Sequence, residues 1–144
     1  MAYPGHPMIL TLNKETMVIS REVDVIPFRN RLKEYAIKIG MSLVNQTKII
    51  TAASELARNM LKYANGGKAT IEIVNKGREN GIRLIFKDEG PGIADINLAM
   101  KDGYSSTKSL GLGLPGTKRL VSDFQIESVV GKGTTVTVIR WKNG

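Results

Sequence analysis

The stretch Ile49-Ile-Thr-Ala-Ala-Ser-Glu-Leu-Ala-Arg-Asn-Met-Leu-Lys-Tyr-Ala64 runs through Asn65-Gly-Gly67 into Lys68-Ala-Thr-Ile-Glu-Ile-Val74. In the first part, Ile49, Ile50, Ala53, Leu56, Ala57, Met60, Leu61 and Ala64 recur at the spacing of one helical face. In the last part the period is two: Ile71 and Ile73 alternate with Thr70, Glu72 and Val74, as on a strand with one buried face. Asn65-Gly-Gly67 supplies the stop between them, because Asn and Gly accept the left-handed backbone that ends a helix. A helix over 43–64 that feeds straight into a strand, each with one apolar side, predicts helix packed on sheet.

The flanking segments extend that pattern. Upstream, Asp24 reads as a helix N-cap with Pro27 in the first turn, followed by Val25, Phe28, Leu32, Ala36 and Ile39 at helical spacing and Gly40 as the stop. Residues 16–20 predict a short first strand, and residues 1–15 a flexible N-terminal arm. Downstream, a loop over 76–81 ending in Asn-Gly predicts a hairpin into a strand over 82–88. Five glycines interrupt 89–113, a helix begins near Pro115 and carries Leu120, Val121 and Phe124, and strands over 125–130 and 134–141 flank Gly131-Lys-Gly133. The expectation is one α+β domain over 16–144: a two-layer sandwich with helices on one face of a mixed, mostly antiparallel sheet. A long glycine-rich connection inside so small a domain predicts a functional lid.

Composition narrows the chemistry. The chain has 144 residues, 42% hydrophobic and 24% charged, which suits one globular domain. It has no Cys and one His, His6 between Gly5 and Pro7, so thiolate metal sites, disulfides and His-based nucleophilic catalysis are excluded. No apolar run approaches the ~20 residues of a membrane span, and no secretory signal is visible, so the expected location is the cytoplasm, with no membrane partner. Twenty-one Lys and Arg against thirteen Asp and Glu give a net charge of +8, which favours an anionic partner. The positive residues spread evenly from Lys14 to Lys142 rather than clustering as a nucleic-acid footprint does, so no nucleic-acid partner is expected.

Three elements carry phosphate chemistry. Gly111-Leu-Gly-Leu-Pro-Gly116 has the letters of a dinucleotide fingerprint but follows a polar run instead of a strand, and Thr117-Lys118 reverses the order a P-loop requires. Gly111 and Gly113 still let backbone approach an anion, with a helix N-terminus behind them. On the helix over 43–64, Lys48, Thr51, Glu55, Asn59 and Lys62 share a polar stripe. There Asn59 could offer an oxygen to Mg²⁺, Lys62 could meet phosphate, and Glu55 could take a proton from an attacking hydroxyl. At a strand end, Asp88-Glu-Gly-Pro-Gly92 makes a tight turn whose Asp could accept from the adenine amino group and repel guanine.

Together these phrases resemble the GHKL superfamily of ATP-binding domains: gyrase B, heat-shock chaperones, histidine kinases and mismatch-repair proteins. Glu55-Leu-Ala-Arg-Asn59 resembles its N box, Asp88-Glu-Gly-Pro-Gly92 and Gly111-Leu-Gly-Leu-Pro-Gly116 its two glycine boxes, and Gly133-Thr134 the Gly-Thr of the last strands. Over residues 20–141 the text is most similar to the RsbT-like serine/threonine kinases of bacterial stressosomes, above all in Gly113-Leu-Pro-Gly-Thr-Lys-Arg-Leu120. The resemblance implies the Bergerat (GHKL) fold with an ATP lid, and ATP and Mg²⁺ as cofactors. Its implied partners are a STAS-domain antagonist as substrate and a downstream effector such as a PP2C-type phosphatase.

By the same resemblance, Glu55 is the general base, Asn59 the Mg²⁺ ligand and Lys62 a phosphate contact. Asp88 holds adenine with Thr134 in support, Gly90 and Gly92 shape the base pocket, and Gly111, Leu112 and Gly113 cradle phosphates. Lys108-Ser109 stands where such lids carry glycine, which suggests a stiffer lid with Lys108 on a phosphate. The competing readings are an anti-sigma-factor kinase of the RsbW or sporulation type, a detached histidine-kinase domain lacking its phosphoacceptor His, and a basic nucleic-acid-binding module.

Overall fold

The chain changes from helix to strand where its period changes. The computed structural model describes residues 8–101 and 113–144. Helix α2 spans Leu43–Ala64; its first turn is capped by the Ser42 hydroxyl, which accepts from the Asn45 N–H at 3.2 Å. Asn65, at φ 59°, ends it in the left-handed conformation, and the Gly66 N–H closes back on the Met60 carbonyl at 2.9 Å. A Cβ on Gly66 would strike the Ile19 carbonyl, so the helix exit lies directly on the preceding strand.

Strand β1 spans Ile9–Ile19, a single 3-10 turn covers Glu22–Asp24, and α1 spans Val25–Lys38. After α2 come β2 (Gly67–Lys76) and β3 (Glu79–Lys87), the short α3 (Ile96–Ala99), α4 (Leu114–Arg119), β4 (Asp123–Val129) and β5 (Gly133–Trp141). The sheet order is β1-β2-β3-β5-β4. All four neighbour pairs are antiparallel, where a mixed sheet was expected. After α4 the chain enters at the far edge as β4 and doubles back, which inserts β5 beside β3 in antiparallel sense.

One face of this sheet carries the core. Ala69, Ile71 and Ile73 of β2, Ile82, Leu84 and Phe86 of β3, and Val136 and Val138 of β5 alternate inward against Phe28, Leu32, Ile49, Ala53 and Leu56 of α1 and α2. Phe28 meets Phe86 edge to face at 5.8 Å between ring centres. Each fully buried side chain of this size stabilises the fold by about 1.5–3 kcal/mol. The opposite face is a polar ladder: buried Glu72 pairs with Arg83, which reaches the Thr11 hydroxyl, and Thr16 bonds Thr70 at 2.9 Å.

Four further sequence expectations change. The arm expected over 1–15 is β-strand from Ile9 on, because an edge strand needs only backbone pairing with β2 and tolerates the polar, exposed residues that hid it. Asp24 accepts backward from the Ser20 and Arg21 N–H groups at 2.9 and 3.0 Å instead of capping α1 forward. These bonds hold its carboxyl below the usual carboxylate range. The hairpin turns at Gly77-Arg78, with Gly77 at φ 63°, while Asn80-Gly81 lies inside β3, where a Cβ on Gly81 would collide with the Trp141 ring. Finally, α4 ends at Arg119, so Phe124 packs on the core from β4.

Candidate functional site

The polar stripe of α2 divides by depth. Lys48, Thr51 and Lys62 are exposed, whereas Glu55 and Asn59 are half-buried. Asn59 faces an open pocket between the second half of α2, the end of β3, the start of β5 and the turn after β3. Leu56, Met60, Phe86, Ile93, Ile126 and Val136 give it apolar walls, and Asn59, Tyr63, Asp88 and Thr134 give it polar groups. Such a mix suits a flat heteroaromatic ring fixed by a few hydrogen bonds.

Asp88 sits where β3 ends. Its Oδ1 accepts from the Gly90 N–H at 2.9 Å and the Thr134 N–H at 3.1 Å, and its own N–H donates to the Thr134 carbonyl at 3.0 Å. Among the described residues, Oδ2 has no hydrogen-bond partner. The turn that follows depends on glycine at two points. A Cβ on Gly90 would come within 2.5 Å of the Ala64 Cβ, and Gly92, at φ 77°, passes the Val129 carbonyl so closely that its Cβ would lie 2.5 Å from that oxygen. Ser128 pins this turn to the last hairpin: its hydroxyl accepts from the Ile93 N–H at 2.7 Å and lies 2.8 Å from the Thr134 hydroxyl.

Glu55 stands one helical turn before Asn59, beside the pocket wall rather than in it. Its Oε1 is 3.8 Å from Arg58, and its Oε2 is 3.3 Å from the point where a Cβ on Gly113 would sit. Gly113, at φ 82°, leads into α4, whose Leu114 is buried and lines the pocket. The structure therefore gathers Asn59, Asp88, Gly92 and Thr134 on one pocket, with Gly90 behind it and Glu55 and Gly113 together at its side. Lys62 is not part of this wall; its ammonium lies 5.4 Å from the centre of the Tyr63 ring. Lys108, Gly111 and Leu112 fall outside the described residues.

The arrangement fits a nucleotide: among the described residues one Asp88 carboxylate oxygen and the buried Tyr63 hydroxyl at the pocket have no partner, and the glycines are packed too tightly for a side chain. A family model described as histidine kinase-, DNA gyrase B-, and HSP90-like ATPase matches residues 44–143. This chain belongs to that family. Serine/threonine-protein kinase RsbT of Bacillus subtilis is 42% identical over 131 residues, covering 90% of this chain and 98% of that protein. An anti-sigma F factor of Clostridium kluyveri is 33% identical over 103 residues, 67% of this chain and 71% of its own. Another from Geobacillus thermodenitrificans is 33% identical over 95 residues, 62% of this chain and 65% of its own. As a member of the ATPase family, the chain binds ATP. Among the described residues, no helix is long and apolar enough to cross a membrane.

One pocket residue, Tyr63, and one residue bracing the site, Ser128, escaped the sequence reading. Tyr63 follows Asn59 by four, so the same helical period that marked Asn59 carries it to the pocket, although an isolated Tyr on a helix reads equally as core. Ser128 gives no sequence signal, since its role depends on a contact with Ile93, 35 residues away.

Proposed function

We propose that this chain is a serine/threonine-protein kinase of a stressosome-type partner-switching pathway in the cytoplasm. It transfers the γ-phosphoryl group of ATP to a Ser or Thr of a STAS-domain antagonist, and a PP2C-type phosphatase or comparable effector is its downstream partner. The observation that carries this is the convergence of Asn59, Asp88, Gly92 and Thr134 on one apolar-walled pocket, with Glu55 beside it one turn before Asn59. The 42% identity to a serine/threonine-protein kinase supports it.

The roles follow from position. Asp88 Oδ2 accepts from the adenine amino group, while Oδ1 stays locked to Gly90 and Thr134, so the acceptor is oriented before ATP arrives. Thr134, braced by Ser128, supports the base through its hydroxyl. Among the described residues no cluster of three or more His, Cys, Asp or Glu can hold a metal alone, so the Asn59 amide oxygen would hold Mg²⁺ together with ligand phosphates. Mg²⁺ so placed would neutralise phosphate charge. Glu55 receives the proton of the acceptor hydroxyl as that oxygen attacks, and exposed Lys62, one turn beyond Asn59, reaches for phosphate. Phosphoryl transfer asks for positioning and charge stabilisation more than covalent chemistry, and these residues supply both.

The 33% identity to anti-sigma F factors favours a second reading, a kinase whose first ligand is a sigma factor. Incubation with labelled ATP, Mg²⁺ and a purified STAS-domain protein of the same organism, with phosphosite mapping, tests the proposal. One labelled Ser or Thr supports it, and no label on that protein contradicts it. Pull-down of a sigma factor by this chain separates the second reading from the first.

A further inference from the structure

One hydroxyl clasps the turn after β3 to the β4–β5 hairpin. Ser128 and Thr134 stand directly opposite each other in the β4–β5 register, in step with inward-facing Ile126 and Val136, so both side chains lie on the sheet face that carries the pocket. Three groups lie within hydrogen-bond reach of the Ser128 hydroxyl: the Ile93 N–H at 2.7 Å, the Thr134 hydroxyl at 2.8 Å and the Gly133 carbonyl at 3.2 Å. Ile93 and Thr134 both line the pocket. The Gly131 N–H tightens the clasp by donating to the Pro91 carbonyl at 2.8 Å. Gly133, at φ 131°, passes so close that a Cβ there would strike the Asp88 carbonyl.

The number of protons available fixes the direction of these bonds. A hydroxyl carries one proton and two lone pairs. The Ile93 N–H can only donate, so it takes one Ser128 lone pair; the Gly133 carbonyl can only accept, so it takes the Ser128 proton. One lone pair remains, and it is filled only when the Thr134 hydroxyl donates to it. The reverse choice, Ser128 donating to Thr134, leaves the Gly133 bond unmade. With its proton held by Ser128, Thr134 turns only lone pairs toward the pocket, beside the Asp88 carboxylate, which is an acceptor as well.

We propose that Ser128 is a specificity-determining residue that acts through Thr134: by holding the Thr134 proton it makes the polar end of the pocket acceptor-only, which admits the 6-amino group of adenine and rejects a 6-oxopurine. This rests on the placement of adenine against Asp88 above. Adenine presents a donor at that position, whereas a 6-oxopurine brings a third acceptor against two others. Loss of the Ser128 hydroxyl has two separable effects. The Ile93 N–H loses its acceptor, which loosens the pocket wall for every purine alike. The Thr134 proton is also released to turn toward the ligand, where an oxo group can accept it and an amino group cannot.

The test compares ATP with inosine triphosphate, which carries an oxo group in place of the 6-amino group and adds no 2-amino group. Each displaces a ribose-labelled fluorescent ATP analogue from the full chain, as wild type, Ser128→Ala and Ser128→Thr, with a thermal melt to verify folding. In Ser128→Ala the ATP affinity is expected to fall about threefold to tenfold, as for one lost neutral hydrogen bond, and the preference for ATP over inosine triphosphate by about fivefold or more. Ser128→Thr keeps the hydroxyl and is expected to keep the wild-type preference. If Ser128→Ala lowers both affinities by the same factor, or changes neither, the specificity assignment is overturned while the adenine placement stands. If Asp88→Asn binds ATP as tightly as wild type, the base does not lie against Asp88, and that placement is overturned together with this assignment.

Discussion

The two carboxylate oxygens of Asp88 have different tasks: one fixes the turn through Gly90 and Thr134, and the other is left for a ligand. Asp88→Asn separates them, because the amide oxygen can still accept those N–H groups while its NH₂ opposes the adenine amino group. A lost charge-assisted bond of about 1.5–3 kcal/mol weakens ATP binding roughly ten- to a hundredfold, with the melting temperature little changed. Titration calorimetry reads the first quantity and a melt the second. Glu55→Gln separates chemistry from binding in the opposite way: ATP affinity stays, and phosphoryl transfer to the STAS protein falls by about 10²–10⁴. Normal transfer by this variant removes the base assignment. At this scale the sequence was informative where a phrase has fixed spacing, as from Glu55 to Asn59 or from Asp88 to Gly92. It was silent on Ser128, whose partners are fixed only by strand register.

At the scale of elements, α2 was legible to its ends because both of its stops are local: a Ser42 cap and a left-handed Asn65. Strand β1 was not, because its stability comes from pairing with β2 and from one lash to α1. There Glu15 accepts from the Tyr35 hydroxyl and the Arg31 guanidinium, both at 2.7 Å. Those bonds, Tyr35 foremost and then Arg31, hold the Glu15 carboxyl below its ordinary 4.5, and the bond to Glu15 holds the Tyr35 phenol above its ordinary 10.0. A carboxylate with a depressed folded pKa adds stability above its unfolded value and loses it as pH falls through the folded one. Glu15→Gln should therefore be less stable than wild type at pH 7 by about 1 kcal/mol or less, since a third of the Glu15 side chain is in water. The gap should close below pH 4. On the alkaline side the Tyr35 contribution persists at pH 10 and fades as pH rises through the raised phenol value. Urea denaturation across pH measures both limbs, and a gap unchanged from pH 7 to pH 3 contradicts the lash. The misread hairpin has the same origin as β1: Asn80-Gly81 spells a turn locally, but Trp141 across the sheet requires glycine there.

For the whole molecule, a charge of +8 points toward an acidic protein partner. Association with the STAS protein should weaken as salt rises from 50 to 300 mM, as expected when a net positive surface steers encounter, and salt-independent affinity contradicts that. Composition gave the sign of the charge but not its target, because evenly spaced Lys and Arg acquire a shared face only once the fold sets their positions. Every role assigned above requires that ATP enter the pocket bounded by Asn59, Asp88 and Thr134. Calorimetric titration of the purified chain with ATP and Mg²⁺ tests this most directly. Saturable uptake of one ATP per chain, with no comparable uptake of GTP, is the predicted result; no heat of ATP binding contradicts the account.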